Sequence, residues 1–119
     1  MLAVALGLDL AVLVEVHTAE ELRRAADCGA RIVGVNCRNL RTLTVDPAVF
    51  DALLPGMPPG AVSVAESGLR SADDLRRLRA SGFSAFLVGE RFMTDDDPGA
   101  ALRALRRDAD SIDSAEVRP

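Results

Sequence analysis

The sequence contains no tryptophan and no tyrosine, and only four phenylalanines among its 119 residues. Nor is there an excess of positive charge: 14 Lys and Arg stand against 18 Asp and Glu, for a formal net charge of −4. With no basic footprint to neutralise phosphates, nucleic-acid binding is not expected. A single histidine, His17, argues against a histidine-based metal site, and no metal is expected. Cys28 and Cys37 are too few for a disulfide framework, and both sit in apolar patterns unlike those of a zinc site. The apolar start, Met1 to Val14, lacks a basic flank, is interrupted by Asp9 and is too short to cross a bilayer. Neither G-x-x-x-x-G-K-[ST] nor G-x-G-x-x-G occurs, so nucleoside triphosphates and dinucleotides are not expected ligands. These absences leave a cytosolic protein with one domain and one core, and no membrane partner.

What is present alternates between two patterns. Ala11-Val-Leu-Val-Glu-Val16, Arg31-Ile-Val-Gly-Val-Asn36, Ala61-Val-Ser-Val-Ala65 and Phe83 to Gly89 are short β-branched or apolar runs, as strands buried on both faces should be. Helical stretches lie between them. Thr18 and Glu21 have the spacing of a capping box, ahead of a face with Leu22, Ala25 and Ala26, and Gly29 closes that helix. Asp46-Pro47 starts a helix with Val49, Leu53 and Leu54 on its stripe; Ser71 caps one with Leu75 and Leu78, closed by Gly82. Asp97-Pro98 starts a last one, with Ala101, Leu102 and Leu105 inward. Capped helices between apolar strands predict an α/β fold of four parallel βα units. The spacing suits a barrel segment or a doubly wound sheet. Residues 1–107 are expected to form this unit, and 108–119 a polar, acidic, disordered tail.

In parallel α/β folds the chemistry gathers at the C-terminal ends of strands. Those positions hold Glu15, Asn36, Glu66-Ser67-Gly68 and Gly89-Glu90. Taken singly, each has a bland reading: a solvated carboxylate, a turn cap, loop punctuation. His17 reads as a turn residue, Cys37 as packing, and the arginines at 76, 77, 79, 103, 106 and 107 as solvated surface. Together the strand ends are harder to dismiss, because buried carboxylates and amides are costly unless paired or functional. Glycines after the third and fourth strands let backbone amides approach an anion, and Glu90 to Thr94 has room for a short extra helix.

Leu13-Val-Glu-Val-His17, Ile32-Val-Gly-Val-Asn-Cys-Arg-Asn-Leu40 with Thr42 and Asp46, Val64-Ala-Glu-Ser-Gly-Leu69, and Leu87-Val-Gly-Glu-Arg-Phe-Met93 are the runs that point to a family. In order and spacing they resemble the last four strands of indole-3-glycerol phosphate synthase, over about residues 2 to 106. The resemblance implies the C-terminal half of a TIM (β/α)8 barrel. It also implies a decarboxylating carbon-carbon lyase of tryptophan biosynthesis, which needs no metal or organic cofactor. Such an enzyme converts 1-(2-carboxyphenylamino)-1-deoxyribulose 5-phosphate to indole-3-glycerol phosphate, losing carbon dioxide and water. On this resemblance Glu15 stands at a carboxylate used in proton transfer, Glu66 at a second active-site carboxylate, and Asn36 at an amide that orients the substrate. Ser67, Gly68, Gly89 and Glu90 match the phosphate cradle, Glu90 through its backbone, and Arg38 a substrate contact.

The sequence departs from the family in one respect. The family's catalytic lysines lie on its first and third strands, and no lysine occurs here. A full barrel takes about 250 residues, so half an active site is expected, with low or no turnover alone. Apolar runs through Val14, Val33, Val64 and Leu87 should leave some side chains facing away from the helices. Self-association, or pairing with a lysine-bearing half, is therefore expected. Other readings are a non-catalytic phosphate-binding half-barrel, a truncated gene product, and phosphoribosylanthranilate isomerase, which the Val-Glu-Val-His and Asn-Cys-Arg-Asn-Leu runs disfavour.

Overall fold

The computed structural model describes residues 2–116, with side chains described at 2–89 and 91–110. Four strands form: β1 (Leu13–Val16), β2 (Ile32–Asn36), β3 (Val62–Glu66) and β4 (Ala85–Leu87). They make one sheet in the order β1-β2-β3-β4, every neighbour parallel. Between them run α2 (Ala19–Asp27), α3 (Ala48–Leu53) with a 3-10 turn at Leu54–Gly56, and α4 (Ala72–Ser81). The helix α1 (Leu2–Gly7) precedes β1, and α5 (Glu90–Met93) and α6 (Pro98–Glu116) follow β4. Strands that neighbour each other strictly in chain order, with no reversal point, are those of a barrel segment rather than a doubly wound sheet.

The helices begin where their caps dictate. Thr18 and Glu21 form the expected capping box on α2, and Ser71 forms a second on α4 with Asp74. Asp46 Oδ1 accepts from the Ala48 amide at 3.1 Å, and Asp97 Oδ1 from the Ala100 amide at 3.1 Å.

Strand register divides the sheet into two unlike faces. Val33, Val35 and Ala65 are fully buried under the helices, against Leu22, Phe50, Leu78 and Leu105. The Phe50 and Phe83 rings meet edge to face, 5.5 Å between centroids. The opposite face carries Leu13, Glu15, Gly34, Asn36, Val62, Val64, Glu66 and Leu87. No helix covers it, and Leu13, Val62 and Leu87 are 43%, 43% and 52% exposed. Of Val14, Val33, Val64 and Leu87, some of which were expected to face away from the helices, Val64 and Leu87 do, while Val33 is in the core and Val14 packs against it.

The polar tail expected from Asp108 is, where described, a continuation of α6 as far as Glu116. Ala109 is 1% exposed in the core, so the helical period carries an apolar contact past the charged run. Arg76 donates to the Asp108 carbonyl and Arg79 pairs with Asp110 at 3.4 Å, so these arginines tie α4 to α6 rather than standing only in solvent. The remainder of that expectation, residues 117–119, lies outside the described residues.

Candidate active site

The site is built around a glycine. Glu15 on β1, Gly34 on β2 and Val64 on β3 share one row of the open face, and Asn36 and Glu66 share the next. A Cβ on Gly34 would fall 1.9 Å from Glu66 Oε2, so the missing side chain is what lets the Glu66 carboxyl lie over β2. Glu66 is 4% exposed, and its Oε2 has no hydrogen-bond partner among the described residues. Burial first, and then the neighbouring Glu15 carboxylate as hydrogen-bond partner and like charge, push the Glu66 carboxyl up to about 7. A group so placed holds or releases its proton near neutrality.

Asn36 is buried at the end of β2. Its Oδ1 accepts from Ser67 Oγ at 2.7 Å and from the Arg38 amide at 2.9 Å, which leaves its NH2 with donor capacity. His17 Nδ1 lies 2.6 Å from the Asn36 carbonyl oxygen, so this residue does more than turn the chain: it ties the ends of β1 and β2 together. The β3–α4 loop then turns through two left-handed residues, Ser67 at φ 71° and Gly68 at φ 68°. A Cβ on Gly68 would lie 2.7 Å from Val45 Cγ1 and 3.5 Å from Cys37 Sγ. Cys37 Sγ donates to the Ser67 carbonyl at 3.4 Å, and burial raises its thiol pKa, in keeping with a packing residue.

An open cleft of about 780 Å³ lies at the C-terminal ends of β3 and β4. Of the residues expected at the site, Arg38, Glu66, Ser67, Gly68 and Gly89 line it. Asn36 adjoins it through Ser67, and Glu15 stands beside Glu66 on the exposed sheet face without lining the cleft. Glu90 begins the short helix α5, which forms where the sequence left room for one. Three lining or supporting residues were missed from sequence: Gly34, Arg70 and Arg91. A glycine inside an apolar strand run was the available signal for Gly34, since such a glycine marks close approach of another group. Among the described residues no cluster of His, Cys, Asp and Glu could hold a metal ion, and no helix is long and apolar enough to cross a membrane.

The chain has relatives among known proteins. The chain is 56% identical over 91 residues to indole-3-glycerol phosphate synthase of Arthrobacter sp. (strain FB24), covering 76% of this chain and 34% of that protein. It is 49% identical over 99 residues to that of Saccharopolyspora erythraea, and 50% identical over 103 residues to that of Variovorax paradoxus (strain S110). These matches cover 83% and 87% of this chain, and 37% and 39% of the relatives' own lengths. In three dimensions it resembles mandelate oxidase variants, one solved with the C4a-OH-FMN adduct (TM-score 0.67, 27% identity, 90% of this chain and 36% of that one). Another, solved with 2-hydroxy-phenylacetamide, gives TM-score 0.68 at 28% identity over 90% of this chain and 35% of that one. The family described as indole-3-glycerol phosphate synthase, a TIM-barrel family, matches residues 1–105. The chain belongs to the indole-3-glycerol phosphate synthase family, of which it spans the C-terminal βα units.

Proposed function

We propose that this chain supplies the C-terminal, phosphate-binding part of an indole-3-glycerol phosphate synthase site. The reaction is ring closure of 1-(2-carboxyphenylamino)-1-deoxyribulose 5-phosphate with loss of carbon dioxide and water. Ring closure onto a ketone needs an acid for the developing alkoxide, and dehydration needs a base and an acid. Glu66 exchanges a proton near neutral pH and is paired with Glu15, so these two serve proton transfer in the dehydration. Asn36 offers its free NH2 to orient the substrate, and Arg38 contacts it. Backbone amides around Ser67, Gly68, Gly89 and Glu90 hold the phosphate. The acid for ring closure should be a cation, and with no lysine in this sequence that group comes from a lysine-bearing half, leaving little turnover to this chain alone.

The observation that carries the reading is the Glu15–Glu66 pair over Gly34, set beside an arginine-lined cleft. The test is an indole-glycerol phosphate assay on the chain alone and on the chain fused behind the lysine-bearing half of the Arthrobacter relative. The chain alone is expected to be silent and the fusion active. Glu66→Gln in the fusion should lower kcat by about 10²- to 10⁴-fold, the range typical of a lost acid–base group. An active fusion indifferent to both Glu66→Gln and Glu15→Gln would defeat the proposal.

A further inference from the structure

The cleft has an uneven charge. Arg38, Arg70 and Arg91 line it, and Glu66 is its acidic lining residue among those described. Arg38 is engaged elsewhere in part, since its Nη1 donates to the Leu43 carbonyl at 3.1 Å in the β2–α3 loop. Arg91 is placed differently. It lies on α5, the helix that begins after Gly89, and its Nη1 donates to the carbonyl of Arg70 in the loop that carries Ser67 and Gly68. Its guanidinium carbon also sits 5.9 Å from the Phe92 ring centroid, which helps to fix the plane of the fork. One side chain thus joins the two segments that flank the cleft.

Five arginines on the helices have carboxylate neighbours: Arg24 pairs with Glu20, Arg76 with Asp73, Arg77 with Asp74, Arg79 with Asp110 and Arg107 with Asp108. Arg91 has no carboxylate partner among the described residues. A guanidinium has five N–H donors in a fixed fork and no acceptor. One donor spent on the Arg70 carbonyl leaves the rest, and the whole positive charge, for an anion. Planar forks of this kind suit phosphate oxygens, to which they donate short, charge-assisted bonds.

We propose that Arg91 is a phosphate-anchoring residue, clasping the loop after β3 to α5 through the Arg70 carbonyl and donating its remaining N–H groups to a phosphate dianion held between Ser67-Gly68 and Gly89. This rests on the phosphate-cradle reading above and adds a residue to it. Arg70 contributes its carbonyl to the clasp and its charge to the field at the cleft.

Calorimetric titration of the purified chain with inorganic phosphate, at a pH where the anion is doubly charged, separates the possibilities. Arg91→Gln keeps a donor for the Arg70 carbonyl but removes the charge. It is expected to weaken phosphate binding by about tenfold or more, as loss of a hydrogen bond to a charged group does. It should also flatten the fall of affinity with added salt. Arg24→Gln removes the same charge from α2, which gives no residue to the cleft lining, and should leave both quantities unchanged. If Arg91→Gln binds phosphate as the parent does, the Arg91 assignment is overturned and the cradle stands. Equal weakening in Arg91→Gln and Arg24→Gln also overturns it, as an effect of net charge. If the folded parent binds no phosphate at all, the cradle falls and Arg91 with it.

Discussion

A buried carboxyl without a full set of partners is costly, and Glu66 meets that cost by keeping its proton. Its pKa of about 7 in the folded chain lies above its ordinary 4.5, so between those values the folded state holds a proton that the unfolded chain has lost. The stability this provides is full below the ordinary value and disappears as pH rises through about 7. Glu66→Gln fixes the neutral form. Its melting temperature should match the parent's in acid and exceed it by several degrees above neutrality, at roughly 4 to 8 °C per kcal/mol. Carbon NMR of the Glu66 carboxyl should titrate near 7, and the midpoint should fall toward the ordinary range in Glu15→Gln. Gly34→Ala should lower it too, because the new methyl takes the place of Oε2 and drives the carboxylate into solvent at small cost in stability. A Glu66 midpoint that ignores both substitutions would refute the account. Single positions of this sort were only half legible from sequence. Glu15 and Glu66 declared themselves by standing at strand ends, but Gly34 takes its meaning from Glu66 on the next strand, a whole βα unit further along the chain.

Elements were more legible, because their signals are local. Capping boxes, strand runs of β-branched residues and glycines at helix ends act within a few residues, and they locate α2, α4 and the four strands, although β1 and β4 are shorter than the runs that announce them. The end of α6 was less legible, since the helical period that runs from Leu105 on to the buried Ala109 passes through a charged stretch that reads as a tail. The same distinction separates the two cradle glycines. Gly68 has φ 68° and Val45 in the place of its Cβ, so it shapes the β3–α4 loop itself. Gly89 has φ −127° and nothing within 4 Å of a Cβ, so the fold does not require glycine there. Gly68→Val should therefore destabilise the chain by about 1 to 3 kcal/mol. Gly89→Val should leave the melting temperature close to the parent's and weaken phosphate binding by filling the space the ligand needs. Paired melting and phosphate titrations check this, and a Gly89→Val variant that binds phosphate normally would remove Gly89 from the cradle.

At the scale of the whole molecule the asymmetry of the sheet decides behaviour. Helices seal one face, while Leu13, Val62 and Leu87 stand exposed on the other, and β1 and β4 each have one unpaired edge. Such edges and apolar faces recruit other chains. Covering one large apolar side chain is worth roughly 1.5 to 3 kcal/mol, a sizeable share of a domain's total of about 5 to 15 kcal/mol. The isolated 119-residue chain is accordingly expected to self-associate, setting β4 of one copy beside β1 of another. That arrangement would bring two Glu15–Glu66 pairs into one interior with no lysine to meet them, so a lysine-bearing half should bind more tightly than a second copy does. Sedimentation velocity should show association that strengthens with concentration and is reduced by Val62→Asp with Leu87→Asp, two exposed sites where the change costs the monomer little. Adding the lysine-bearing half should displace the self-associated form. A single monomer boundary persisting to high micromolar concentration would sink the association claim, and indifference to the double substitution would move the interface off the open sheet face.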